Sequence, residues 1–313
     1  MSASPRVSVV LATYNRRGFL CQALDSLLAQ SYPDFEVIVG NDGGADYIEP
    51  VKQHFADERI AWVDHGVRKG LLDNTLDGFS RARGEFLAIL QDDDRWAPDL
   101  LARLVPRLEA DPTINVAFSD HFIIDRDGGV DLAATDRNSA AWGRDRLAPG
   151  VHRPFRRLAV IDGTIPIQCA AVFRRSALDV SAFPLEAGPK FDRWLSWEMA
   201  RGNAGAHYEP ARLAYYRSHP GQQTVTGGLE NAEAGIYIFQ RFLEEPELAD
   251  LPRASLRALL AADRYGAGVA LIRRGHPRAA RRQLLEALRL RPRPRTGAAM
   301  LASLLPVAIA TRL

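Results

Sequence analysis

This 313-residue chain predicts an α/β fold: a mostly parallel sheet covered by helices, followed by a helical C-terminal extension. Three observations carry that prediction. Strand-like and helix-like patterns alternate over the first 120 residues. The run Phe86-Leu87-Ala88-Ile89-Leu90 is continuously apolar, as a strand buried on both faces must be. From about residue 230 onward the pattern is helical alone. Such alternation argues for parallel strands joined by right-handed crossovers.

The elements follow in order. Residues 7–12 read as a strand, and residues 17–30 carry Phe19, Leu20, Ala23, Leu24, Leu27 and Leu28 at helical spacing. Tyr32-Pro33-Asp34 breaks that helix. The next strand, residues 35–39, ends at the turn cluster Asn41-Asp42-Gly43-Gly44. A helix over 47–55, a short strand over 60–63 and a helix over 72–81 lead into the apolar strand at 86–90. Pro98 opens a helix over 100–108, where a first-turn proline has no donor to lose. Residues 116–119 form a further strand ending at Asp120. Beyond it, Asp127-Gly128-Gly129 suggests a hairpin turn, and residues 135–150 read as a polar loop. Strands at 167–173 and 213–217 flank a helix over 192–201. No repeat period is present.

Composition sets bounds. The chain is 47% apolar with a net charge of +2, so it can bury a core and has no overall nucleic-acid signature. Cys21 and Cys169 lie far apart without metal-type spacing, which suggests thiols in a reducing compartment. The opening residues lack the pattern of a secretory signal, and no stretch reaches membrane-spanning length. The expectation is a cytoplasmic protein.

Asp92, Asp93 and Asp94 directly follow the buried strand. Ligands of open α/β sheets gather at the carboxyl ends of strands. Three adjacent carboxylates repel one another unless a cation compensates, and hard oxygen ligands suit Mg²⁺ or Mn²⁺. By itself the triplet would serve a phosphatase or a nucleotidyltransferase equally well. Two more strand ends, Ala12-Thr13-Tyr14-Asn15 and Asn41-Asp42-Gly43, could approach a nucleotide or be plain turns. Asp192 opens a helix bearing Trp194 and Trp197, and spacing alone makes it an N-cap. Tyr216-Arg217-Ser218-His219 places a cation and an imidazole at a strand end.

Taken in order, these segments resemble glycosyltransferase family 2, the inverting enzymes with the GT-A fold. The resemblance runs from about Val7 to Thr224. It rests on residues 7–16, on 30–43, and on 83–99 with Gln91-Asp92-Asp93-Asp94. It continues through Phe173-Arg174-Arg175-Ser176, through 192–197, and through Tyr216-Arg217-Ser218-His219-Pro220-Gly221-Gln222. It implies a Rossmann-like catalytic domain over 1–228, with a nucleotide-binding half at 1–120 and an acceptor-binding half at 121–228. Residues 229–313 would be the helical extension. Ala12, Thr13, Tyr14, Asn15, Asp42 and Asp92 would contact the nucleotide. Asp93 and His219 would serve the metal, Mn²⁺ or Mg²⁺, with Asp94, Arg217 and Trp194 in support. Asp192 would be the general base. The implied donor is a nucleotide-diphosphate sugar, a UDP-sugar first, and the acceptor a carbohydrate or glycoconjugate hydroxyl. Gln91 stands where many members carry another aspartate, and Phe191 where an acid often precedes the base. Arg68 or Lys69 would replace a ribose-contacting arginine that Asp73-Asn74 lacks. The competing readings are a GT-A-like nucleotidyltransferase and a catalytically silent binding protein of the same fold.

In the C-terminal third, nine arginines between Arg273 and Arg295 surround a single acid, Glu286. Pro277 starts a helix with Ala280, Leu284, Leu285 and Leu288. The apolar stretch 298–310 is too short to cross a bilayer. Docking of this segment on the catalytic domain comes first, and contact with an anionic membrane surface second.

Overall fold

A computed structural model describes residues 4–222 and 228–304. The end of the family-like stretch at Thr224 and the apolar residues 305–310 therefore lie outside the described residues. The chain forms two compact units, residues 1–183 with 195–219, and residues 184–194 with 220–313.

The first unit is built on β1 (Val7–Thr13), β2 (Phe35–Asn41), β3 (Ile60–Asp64), β4 (Phe86–Ile89), β5 (Arg95–Trp96), β6 (Ile114–Ile124), β7 (Gly150–His152), β8 (Ala171–Arg174) and β9 (Gly205–Arg217). Among the described residues they make one sheet in the order β3-β2-β1-β4-β8-β6-β9-β5, with β7 on β9. Strands β1 to β4 are mutually parallel. β8 runs antiparallel to both β4 and β6, and β6 runs parallel to β9. The mixed, mostly parallel sheet is the predicted one. β1 and β2 are buried at every position, which explains their unbroken hydrophobicity.

Helices α1 (Arg17–Leu28), α2 (Ala45–His54), α3 (Leu71–Arg81) and α4 (Leu100–Ala110) connect the strands. α1 turns Leu20, Ala23, Leu24 and Leu27 into the core beneath β1 and β2. Each fully buried leucine there contributes ~1.5–3 kcal/mol. Gly40 is required by close approach: a Cβ at this position would lie 1.8 Å from the Asn74 Oδ1. Asn74, buried on α3, uses its amide to donate to the Gly40 carbonyl (2.8 Å) and pairs with His65 Nε2 (3.0 Å).

Four expectations need correction. The strand at 116–119 does not end at Asp120 but runs on to Ile124 as part of β6, paired with β9. Residues 135–150 are not simply a loop, because α5 (Leu132–Ala141) occupies much of them. Its start is fixed by Asp131, whose side chain accepts from the Ala134 N–H, and by Thr135, whose Oγ1 accepts from Ile123 N–H. The strand at 167–173 shortens to β8, since Cys169 and Ala170 N–H groups turn back onto the Pro166 carbonyl. The strand at 213–217 is the end of a much longer one. β9 contains Pro210, where the register with β6 jumps from Ser119↔Glu209 to Asp120↔Arg212. A proline donates nothing to the ladder, and a bulge absorbs it.

The second unit consists of α7 (Gly228–Glu244), α8 (Arg253–Arg273), α9 (Pro277–Leu290) and α10 (Pro294–Ala302), with the N-terminal end of α6 (Phe191–Met199). Ala280 and Leu284 of α9 pack with Ile272 of α8. Pro277 opens α9 as expected, but Leu285 is exposed and takes no part in that core. No helix among the described residues is long and apolar enough to cross a membrane.

Candidate active site

The carboxyl ends of β2, β1 and β4 lie side by side, with Thr13 in register with Asn41 and Val10 with Ile89. Three loops that are distant in sequence therefore share one edge of the first unit. β4 delivers the acidic triplet there. β5 then recaptures the chain: Trp96 Nε1 donates to the Cys169 carbonyl (2.6 Å), and Ala97 N–H to the Leu213 carbonyl (2.8 Å).

Each aspartate meets a different environment. Asp92 accepts from Thr13 Oγ1 (2.9 Å), from the Tyr14 N–H (3.4 Å) and from Arg16 Nη1 (3.1 Å). Burial, reinforced by the charge of Asp93, still pushes its carboxyl up to about 6, against the pull of Arg16. Asp93 accepts from the same Arg16 nitrogen (2.8 Å) and faces His219 Nε2 at 3.0 Å. Asp94 is buried, accepting from the Arg217 N–H (2.8 Å). Burial and then the Asp93 charge hold its carboxyl well above the ordinary range. It does not cap α4.

Arg217 is fully buried. Its guanidinium donates to the carbonyls of Asp93 (2.7 Å), Asp125 (3.2 Å) and Arg126 (2.8 Å), and to Gln22 Oε1 (2.8 Å). It stitches the acidic loop to α1 and to the turn after β6. Phe19 packs beside both Arg217 and the His219 ring.

On the β1–β2 side, Asn15 adopts a left-handed backbone (φ 55), which asparagine tolerates better than most residues. Tyr14 is partly exposed, with the Arg68 guanidinium 4.2 Å from its ring centre. Lys69 turns instead to Asp77 (3.4 Å). Asp42 accepts from the Gly70 N–H (2.6 Å) through one oxygen. Its other oxygen, Oδ1, is buried without a hydrogen-bond partner among the described residues. An unpaired buried acceptor carries a desolvation cost that a ligand N–H would remove.

The residues fit a divalent ion in a specific sense. Asp93 Oδ2 and His219 Nε2 lie 3.0 Å apart, an oxygen and an imidazole nitrogen that suit Mn²⁺ better than oxygen-seeking Mg²⁺. No group of three or more His, Cys, Asp and Glu side chains suited to a metal occurs among the described residues.

Two candidate residues lie in the second unit. Asp192 is half-buried in the first turn of α6, its carboxyl raised mainly by burial and pulled back by Arg193 and Lys190. Trp194 stacks on Phe242, with ring centres 5.6 Å apart, and lies near Tyr237. Its ring belongs to an aromatic cluster of the helical unit.

Arg16, the last residue of the opening segment 7–16, touches two of the three acids, a role that the sequence pattern alone does not reveal. An arginine one turn past a strand end that faces an acidic strand end is the signal that could have marked it. Tyr47, whose hydroxyl lies 3.0 Å from Thr13 Oγ1, had no such signal. A separate open cleft of about 810 Å³ lies between α5, the turn after it, β6 and β9. Asp120, Phe122, Asp136, Tyr208 and Arg212 help line it. At its base Asp120 accepts from Arg144 Nε (2.7 Å) and Ser139 Oγ (2.5 Å).

With this geometry in place, comparison with known proteins is decisive. The profile of glycosyl transferase family 2 matches residues 8–181. The chain belongs to glycosyltransferase family 2. An uncharacterized glycosyltransferase of Nostoc sp. is 30% identical over 260 residues, 77% of this chain and 75% of that protein. A GalNAc(5)-diNAcBac-PP-undecaprenol beta-1,3-glucosyltransferase of Campylobacter jejuni is 32% identical over 106 residues, 33% of this chain and 34% of its own. Among solved structures, S. aureus TarS 1–349 in complex with UDP-GlcNAc matches with a TM-score of 0.66 at 16% identity, covering 98% of this chain and 87% of that one. The mannosyltransferase PcManGT of Pyrobaculum calidifontis, in complex with GDP-Man and Mn²⁺, gives 0.59 at 20% identity, covering 99% and 84%. The family 2 chain thus has the GT-A fold with a helical C-terminal region.

Proposed function

We propose that this family 2 enzyme is an inverting glycosyltransferase that moves a hexose from a nucleotide-diphosphate sugar to an acceptor hydroxyl. The observation that carries this reading is the shared edge where Thr13, Asp42, Asp92, Asp93 and His219 gather from three strand ends and the end of β9. Ala12, Thr13, Tyr14 and Asn15 form the floor for the nucleoside. Asp42 offers its unpaired Oδ1 to a base N–H, which favours a uracil imide and so a UDP-sugar. Asp92 faces the ribose or phosphates. TarS binding UDP-GlcNAc lends support to that donor class.

Asp93 and His219 would hold Mn²⁺ or Mg²⁺, and PcManGT, solved with Mn²⁺, lends support to a metal. Such an ion supplies Lewis-acid stabilisation to the departing diphosphate. Asp94 and Arg217 keep the acidic loop in place, and Trp194 anchors the helix that carries the base. Asp192 takes the acceptor hydroxyl proton as its oxygen bonds to the anomeric carbon. The bond from that carbon to the diphosphate oxygen breaks, and the nucleoside diphosphate leaves with the electron pair. A carboxyl raised by burial is a stronger base than an exposed one. The cleft beside α5 would receive a carbohydrate or glycoconjugate acceptor. The undecaprenol-linked acceptor in the Campylobacter relative's name favours a lipid-linked one. We assign catalysis to residues 1–228, with 229–313 as an extension.

The test is Asp192→Asn assayed with a panel of nucleotide sugars and Mn²⁺. Loss of a positioned base should lower kcat by ~10²–10⁴ while nucleotide affinity is kept. Normal turnover in this variant would make Asp192 a helix residue and nothing more. Release of pyrophosphate from nucleoside triphosphates would favour a nucleotidyltransferase instead.

A further inference from the structure

Residues 251–304 contain twelve arginines and only two acids, Asp263 and Glu286. The helical unit shows where much of that charge is presented. On α9, Ala280, Leu284 and Ala287 are buried, while Arg278, Arg282, Leu285 and Arg289 are exposed. The exposed four fall at i, i+4, i+7 and i+11, one stripe of a 3.6-residue helix directly opposite the buried one. Glu286 pairs with Arg289. Arg278 and Arg282 have no ion-pair partner among the described residues. At the ends of α9, Arg273, Arg274 and Arg291 extend the exposed positive charge.

An apolar side chain sits inside this basic stripe: Leu285 is 43% exposed. On and just after α10, Leu301 and Leu304 are 67% and 62% exposed. A face meant only for water gains nothing from exposed leucines among arginines. A nucleic-acid backbone would engage the arginines but make no use of the leucines among them. Cations flanking apolar side chains match an anionic bilayer surface, with guanidiniums at the headgroups and leucines below them.

We propose that the outer face of α9, centred on Arg278, Arg282, Leu285 and Arg289, docks the protein on anionic lipid headgroups. The inference stands apart from the sugar-transfer reading, since it uses no residue of the candidate active site. The test is flotation of the full chain with phosphatidylcholine vesicles, with and without phosphatidylglycerol. Wild type should float only with the anionic vesicles and be released by added salt. Arg278→Glu with Arg282→Glu should weaken binding by about tenfold or more, at constant helicity by circular dichroism. Leu285→Ser should weaken it with less change in salt dependence. Three results would overturn the proposal: no flotation with phosphatidylglycerol vesicles, salt-insensitive flotation with both kinds, or binding confined to a single-stranded oligonucleotide.

Discussion

Arg16 places one guanidinium nitrogen against both Asp92 and Asp93. Without a cation there, carboxylates buried side by side would repel each other across a poorly solvated edge. The arginine is about a third exposed (32%), so it can leave the pair without crossing a packed core. We expect Arg16→Gln to lower the stability of the free protein by roughly 1–3 kcal/mol, the range for stripping a partner from buried polar groups. Saturating Mn²⁺ should recover part of that loss by supplying the missing charge. Thermal shift with and without the ion measures both effects. An unchanged melting temperature in the metal-free variant would show that the acids are compensated elsewhere.

At the scale of elements, the site depends on β9 as much as on β4. The end of β9 brings Arg217 and His219 to the acidic loop, and Arg217 satisfies three backbone carbonyls that no neighbouring strand reaches. Replacing Arg217 with Met keeps the bulk but strips the donor from the Asp93 and Arg126 carbonyls and from Gln22, while the Asp125 carbonyl keeps the Gly128 N–H. A cost of about 3–5 kcal/mol is expected, because the site is fully buried. Urea denaturation should show the midpoint falling at unchanged slope. A loss within error of zero would mean water replaces the guanidinium and the stitching is dispensable. The same elements show what the sequence made legible. β1, β2 and β4 are continuous apolar runs ending in polar clusters, so both their position and the polar ends that form the candidate site could be read directly. β9 could not be read in full, because Pro210 and the charged residues beside it interrupt the pattern, and a bulge against β6 repairs the ladder only in three dimensions. α5 was hidden for a different reason. Its apolar residues are alanines and one exposed leucine, too small or too exposed to mark a core face, and a capping Asp131 with buried Thr135 and Ser139 holds it.

Over the whole molecule, the parallel half of the sheet positions the strand-end residues of the candidate site by local rules alone. Each loop follows a strand, and each strand lies next to another in register. Asp42, Asp92 and Asp93 therefore share the carboxyl edge of the sheet that their strand-end positions predict. What the pattern did not carry was pairing across distance: Arg16 with two acids, Gln22 with Arg217, Asn74 with the Gly40 carbonyl. Such contacts depend on side-chain direction at helix starts, which periodicity does not encode. The helical unit was legible as helix, while its exposed arginine stripe emerged only once α8 had fixed which side of α9 is buried.

Under the proposed function, Asp93 with His219 couples a divalent ion to the diphosphate of a sugar nucleotide. Titration calorimetry of UDP into the wild-type protein and Asp93→Ala, each with and without Mn²⁺, tests it most directly. UDP binding should require Mn²⁺ and weaken by roughly tenfold or more in the variant. Equal UDP affinity with and without the metal, unchanged by Asp93→Ala, would contradict it.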